Sequence, residues 1–267
     1  MKSMMFIIVF LLYLLVNYYV FRHIWIAMPP TTIGRVALVS FAVIAILSFV
    51  LSFVLGDVMP VWLTAVLYRL GTAWFFILIY FFIMMAVKDL FGLTNKLLRF
   101  MPSDAITRYT KENWVGLGFM IGFIALFMLC GYLKYIWKVR VELPLQIEKT
   151  VGDSVTFNRP LRIIAISDLH LGYSIGKGEF EKWVDMINSE NPDIVFIAGD
   201  IIDNSVRPLN EGNFAESFRK IKAPMGIYAC LGNHEYISGL KGSEEFYKKA
   251  DIHLLADSVA MVDDSFY

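Results

Sequence analysis

The chain has 267 residues, 57% of them hydrophobic, and its 24 Lys/Arg balance 24 Asp/Glu. So large an apolar share argues against an ordinary soluble protein and points first to a membrane class. The neutral total hides opposed halves: residues 1–139 hold 11 Lys/Arg against 4 Asp/Glu (+7), and residues 140–267 hold 13 against 20 (−7). A basic membrane half suits anionic headgroups, whereas the acidic second half weighs against nucleic acid as a partner. Cys130 lies in an apolar run and Cys230 in a predicted strand, so neither a disulfide framework nor a thiolate metal site is supported.

Apolar stretches at 4–21, 36–55, 70–87 and 114–133 are each about 18 to 20 residues, enough to cross a hydrocarbon core about 30 Å thick. The third helix is drawn over 62–87 once Trp62 and Tyr68 are included as interfacial residues, and Arg69 there can snorkel to the headgroups. Lys2 would also suit a signal peptide, but no small-residue cleavage site follows and three more spans do. Residues 1–138 therefore read as a region of four transmembrane helices. Between spans three and four, Lys88, Lys96, Arg99, Arg108 and Lys111 accompany Leu93, Leu97, Leu98 and Met101 at helical spacing, interrupted by Pro102. That segment reads either as a surface-lying helix or as a solvated basic loop. Gly118 and Gly122 form a small-xxx-small pair, a weak signal for helix association. His23, at a membrane edge, is expected to have no metal role.

Positive charges set orientation. The loops after spans one and three carry Arg22, Arg35, Lys88, Lys96, Arg99, Arg108 and Lys111; the opposite side carries Lys2, Lys134, Lys138 and Arg140. The count predicts an integral, multi-pass protein of an inner or plasma membrane with its soluble domain outside the cytoplasm, although the basic exit of span four opposes it.

Residues 139–267 change character, with short apolar runs separated by polar helices. Strands are predicted at 161–167, 193–198 and 226–231, and helices at 179–190 and 214–222, a β-α-β-α-β order whose functional loops gather beyond the strands' carboxyl ends. Polar residues cluster there: Asp168-Leu169-His170 after the first strand, Gly199-Asp200-Ile201-Ile202-Asp203 after the second, Gly232-Asn233-His234-Glu235 after the third. Asp and His one residue apart can offer oxygen and nitrogen to one ion, and a carboxylate at Asp200 can bridge two. Asn233 and His234 complete a mixed oxygen and nitrogen set suited to Mn, Fe or Zn. Singly, each of these residues also fits a turn or helix cap. Glu235 reads as structural, at the start of the next helix, and His253 as an exposed strand position.

Three such motifs in order, each after a predicted strand, resemble the calcineurin-like metallophosphoesterase family, and most its membrane-anchored bacterial branch. The resemblance covers residues 160–267 and implies an α/β two-sheet sandwich. It implies that Asp168 and His170 bind a first divalent ion, Asp200 bridges to a second, and Asn233 binds the second. It further implies that His234 stands beside the phosphate with Asp203 orienting it, and that a shared, metal-acidified water attacks a phosphate ester or pyrophosphate. Anchoring suggests a phosphorylated small-molecule or lipid-linked substrate. The family pattern also takes further histidines, one alone and two in Gly-His-x-His, which have no counterpart before Tyr267. The expectation is therefore a C-terminally truncated copy with an incomplete sandwich and metal site, which turns over little phosphodiester alone. The alternatives are a sensory or scaffolding protein with a degenerate, non-catalytic domain, or transport through the spans, which their few ionisable residues disfavour.

Overall fold

The computed structural model describes residues 2–146 and 160–262, so Tyr267, where the early stop was placed, lies outside the described residues. Contacts divide the chain into two units, Met1–Val54 with Leu67–Pro144, and Leu55–Val66 with Leu145–Tyr267.

The first unit is helical. Among the described residues, four helices are long and apolar enough to cross a membrane: α1 (Lys2–Ala27), α2 (Thr32–Val54), α3 (Val61–Leu98) and α5 (Trp114–Ile136). The short α4 (Ser103–Thr110) stands between α3 and α5. The leucines at 93, 97 and 98 do not begin a separate surface segment, because α3 runs through them for 38 residues. No proline interrupts that stretch, so the helical ladder continues until Arg99 turns left-handed (φ 52°) ahead of Pro102. Asn95 fastens the end, its Oδ1 accepting from the Met101 N–H at 2.8 Å and its Nδ2 donating to the Met101 carbonyl at 3.2 Å. Among the described residues, a Cβ added at Gly118 or Gly122 would meet nothing within 4 Å, whereas one on Gly71 would stand 2.5 Å from the Cα of Phe49, so a close helix approach falls between α2 and α3. Asn17 and Trp74 are satisfied inside this bundle, Trp74 Nε1 donating to Asn17 Oδ1 at 2.9 Å.

The second unit is built on a parallel sheet. Its strands β1 (Ile163–Ile166), β2 (Ile194–Ile197), β3 (Ile227–Ala229) and β4 (His253–Leu254) lie in the order β1-β2-β3-β4. Helices α6 (Lys177–Ser189), α7 (Arg207–Glu211), α8 (Phe214–Arg219), α9 (Asn233–Ser238) and α10 (Leu240–Lys249) connect them. The sequence pattern did not distinguish α7; β4 extends the sheet beyond β3, and His253 is exposed on it, as expected of an exposed strand position. Phe180, Val184 and Ile187 recur at helical spacing on α6 and are buried against Val195, Ile197, Ile227, Ala229, Phe218 and Phe246. Each fully buried large side chain of this kind contributes about 1.5–3 kcal/mol, which fixes the strands whose ends carry the polar motifs. On the opposite face the register sets Ala165, Phe196, Tyr228 and His253 in one row, partly exposed.

Candidate metal centre

The loops after β1 and β2 stay zipped beyond the strands. The His170 N–H donates to the Asp200 carbonyl at 2.9 Å, the Leu171 N–H to the Ile201 carbonyl at 2.8 Å, and the Asp203 N–H to the Leu171 carbonyl at 3.0 Å. This register sets Asp168 and His170 beside Asp200 and Asp203. Asp168, His170 and Asp200 all adopt the left-handed backbone region (φ 54°, 44° and 54°). Such conformations are costly for residues with a Cβ and cluster where function over-determines the backbone.

One ligand atom from each of Asp168, His170 and Asp200 lies within 4.8 Å of the others, and the same holds for His170, Asp203 and His234. His170 belongs to both groups, so the two triads are contiguous. His170 Nε2 is 3.8 Å from Asp168 Oδ1, and His170 Nδ1 is 3.9 Å from Asp203 Oδ1. The His170 and His234 rings meet edge to face with centroids 4.4 Å apart. Asp168 keeps 65% of its side chain exposed while Asp203 keeps 13%, so the group opens to solvent on the Asp168 side.

His234 is held twice. Its backbone N–H donates to Asp200 Oδ1 at 2.9 Å, and its Nδ1 lies 2.6 Å from the Asp203 carbonyl oxygen. A carbonyl only accepts, so Nδ1 carries the proton and Nε2 is the ring's open nitrogen. The Asp203 carboxylate stands further off, 3.5 Å from Nδ1. Orientation of His234 therefore comes first from the main chain of Asp203. Asn233 is exposed at the start of α9.

Glu235 has the structural role its place at the start of α9 suggests, and more reach than that place implies. It is fully buried, and its carboxylate accepts four backbone N–H bonds: Ile201 (2.9 Å) and Ile202 (3.2 Å) on Oε1, Asp200 (3.1 Å) and Gly232 (2.7 Å) on Oε2. One side chain thus ties the Asp200 loop to the Asn233-His234 loop. The legible signal was Gly232-x-x-Glu235, the half of a capping box in which the third helical residue reaches back to the cap N–H; glycine has no side chain to complete it. Two glycines make room beside it. A Cβ on Gly232 would lie 2.1 Å from Asp200 Oδ1, and one on Gly199, whose φ is +75°, would lie 2.7 Å from the Gly232 nitrogen.

These donors fit a divalent ion. Two carboxylates and an imidazole converge at a solvent-accessible edge, on a backbone that only glycine lets come so close.

Residues 161–264 match the model of the calcineurin-like phosphoesterases. A "Transmembrane protein with metallophosphoesterase domain" from Danio rerio is 27% identical over 239 residues, 87% of this chain and 51% of that protein. An alignment that long runs through the membrane helices as well as the sheet. An uncharacterized metallophosphoesterase of Aquifex aeolicus is 32% identical over 114 residues, 39% of this chain and 43% of its own. The UDP-2,3-diacylglucosamine pyrophosphatase LpxG of Chlamydia trachomatis is 36% identical over 93 residues, 35% of this chain and 26% of its own. The chain spans about half the length, or less, of these curated relatives, which come from animals and bacteria. No solved structure matches it significantly.

Proposed function

The chain carries a calcineurin-like metallophosphoesterase domain over residues 161–264, and from that premise we propose that the whole protein hydrolyses a phosphate ester or pyrophosphate bond of a lipid-linked substrate at the membrane. The observation that carries this reading is the convergence of Asp168, His170, Asp200, Asp203 and His234 at the carboxyl ends of neighbouring parallel strands. Asp168, His170, Asp200 and Asn233 would hold two divalent ions. Bound there, the ions supply neutralising charge for phosphate oxygens and an acidified water. His234, with Nδ1–H fixed on the Asp203 carbonyl, presents Nε2 to the substrate, where in its protonated form it would donate to a phosphate oxygen or pass the proton to the leaving oxygen. Glu235 holds the two loops at a fixed spacing through its four N–H bonds.

Two facts support a lipid-linked substrate: the domain follows four membrane-length helices, and LpxG is, by its name, a pyrophosphatase of UDP-2,3-diacylglucosamine. The excess of Lys and Arg in the loops after spans one and three supports an extracytoplasmic domain. A compartment reporter fused after Lys138 tests that placement, and activity of a cytoplasm-specific reporter there would reverse it.

The hydrolytic reading is tested with the full-length protein in nanodiscs and added Mn2+. UDP-2,3-diacylglucosamine is the probe, and bis-p-nitrophenyl phosphate is a soluble control. The expected result is release of UMP and lipid phosphate, falling about 10²–10⁴-fold in His234→Ala. Retained Mn2+ with no turnover of either compound would sink the hydrolase reading and favour a metal-binding scaffold.

A further inference from the structure

The helical unit gathers a second set of ligating side chains that the phosphoesterase reading does not use. His23 sits in the last turns of α1, Lys88 and Asp89 on α3, and Glu112 just before α5. His23 is buried, 5% exposed, although the sequence assigned it no metal role. Its Nδ1 lies 2.8 Å from the carbonyl oxygen of Tyr19, which can only accept, so Nδ1 carries the proton. Nε2 then faces two more acceptors, Asp89 Oδ2 at 3.0 Å and Glu112 Oε1 at 3.5 Å. A lone pair set against two carboxylate oxygens needs a positive charge to hold the group together, which Lys88 on Glu112, a second proton on His23, or a metal ion would supply.

We propose that His23 Nε2, Asp89 and Glu112 form a site for a divalent transition ion of the Zn2+ type, separate from the phosphoesterase centre. One ligand atom from each residue lies within 4.8 Å of the others. The surroundings carry the marks of a ligand shell. A metal-bound imidazole usually donates its other N–H to a carbonyl, as Nδ1 does here, and a ligating carboxylate is itself hydrogen-bonded. The Tyr19 hydroxyl donates to Asp89 Oδ2 at 2.7 Å, and the Tyr19 ring lies against the His23 ring with centroids 4.3 Å apart. A cavity of about 60 Å³ adjoins the group, lined by His23, Met85, Lys88, Glu112 and Met120, room for an ion with a bound water. Asp89 is itself 46% exposed, so the ligand group is reachable from solvent on that side. Lys88 Nζ pairs with Glu112 and is the cation an arriving ion must displace. Three protein ligands with an open position are a common zinc arrangement.

The test counts ions on the full-length chain in detergent, in an Asp168→Ala, His170→Ala, Asp200→Ala background, which breaks both triads at the sheet edge so that bound metal belongs to the helical unit. After chelation and dialysis, Zn2+ alone is titrated in. One tightly held Zn2+ per chain is expected, weakened about tenfold or more by His23→Gln, whose amide still donates to the Tyr19 carbonyl, and by Asp89→Asn. Lys88→Met is expected to tighten binding, a gain that misfolding does not produce. Absence of Zn2+ from the background protein overturns the proposal and leaves a second proton on His23 as the balancing charge. Zn2+ held equally by His23→Gln and Asp89→Asn overturns it too. Since no hydrolysis is read, failure of this site and failure of the hydrolase reading stay distinguishable.

Discussion

The backbone N–H of Asp200 donates to Oε2 of Glu235, 35 residues further along the chain, at 3.1 Å. Three more N–H groups converge on the same buried carboxylate, so Glu235 is the fastening between the Asp200 loop and the Asn233-His234 loop, which share no strand. Glu235→Ala would strand four donors in the interior. At about 1–3 kcal/mol for each buried unsatisfied group, partly relieved by entering water, a loss of about 3 kcal/mol or more is expected. Glu235→Gln should fall between, since its amide nitrogen cannot accept. Thermal midpoints and Mn2+ affinity check this together, and wild-type values of both in Glu235→Gln would remove the fastening role.

Gly232→Ala should displace Asp200 by collision with Oδ1, and Gly199→Ala should add backbone strain to a collision with Gly232. Each is expected to cost about 1–3 kcal/mol and to weaken Mn2+ binding at least about tenfold. Gly178→Ala is the matched control: it lies inside α6 with nothing within 4 Å of its added Cβ, and should stabilise by about 0.5–1 kcal/mol. Equal metal affinity in all three variants would contradict the close-approach explanation.

The main-chain bond to His234 separates two variants that the sequence would treat alike. Because Nδ1 donates to the Asp203 carbonyl, Asp203→Asn preserves that bond and should reduce turnover of the whole protein by less than about tenfold. His234→Ala should cost about 10²–10⁴-fold. Steady-state kinetics of the two variants at saturating Mn2+ measure the gap; a larger loss in Asp203→Asn would assign its carboxylate to a metal.

On the surface, a hydrogen bond from Lys220 Nζ at 2.9 Å holds the Glu181 carboxyl below its ordinary value, and the same bond raises Lys220. A depressed carboxylate lends stability above its unfolded pKa and loses it as pH falls through the lower folded value. Lys220→Ala should therefore lower the thermal midpoint slightly at about pH 7, the pair being solvent-exposed, and the difference should vanish by about pH 2. A gap that widens on acidification would reverse the assignment.

Much was legible in the sequence because it is written in short-range patterns. Hydrophobic runs of bilayer length specify α1, α2, α3 and α5 without any tertiary contact, since helices satisfy their own backbone in an apolar medium. Alternation of apolar strands with amphipathic helices specifies the parallel sheet, and motifs at strand ends specify which edge carries Asp168, His170, Asp200 and Asp203. What the sequence left open depends on residues far apart in the chain. The continuation of α3 to Leu98 and the packing of Gly71 on Phe49 followed from local breakers and helix pairing, which spacing alone does not rank.

The sequence by itself determined membrane-length helices, a parallel α/β domain and the residue types of its metal-binding edge, because periodicity and motif spacing are properties of neighbouring residues. Only the tertiary structure decided that Glu235 locks the two loops, that a main-chain carbonyl orients His234, and that His23 meets Asp89 and Glu112 from three separate segments. Those relationships rest on which donor faces which acceptor across 31 residues of chain or more, and folding alone sets that.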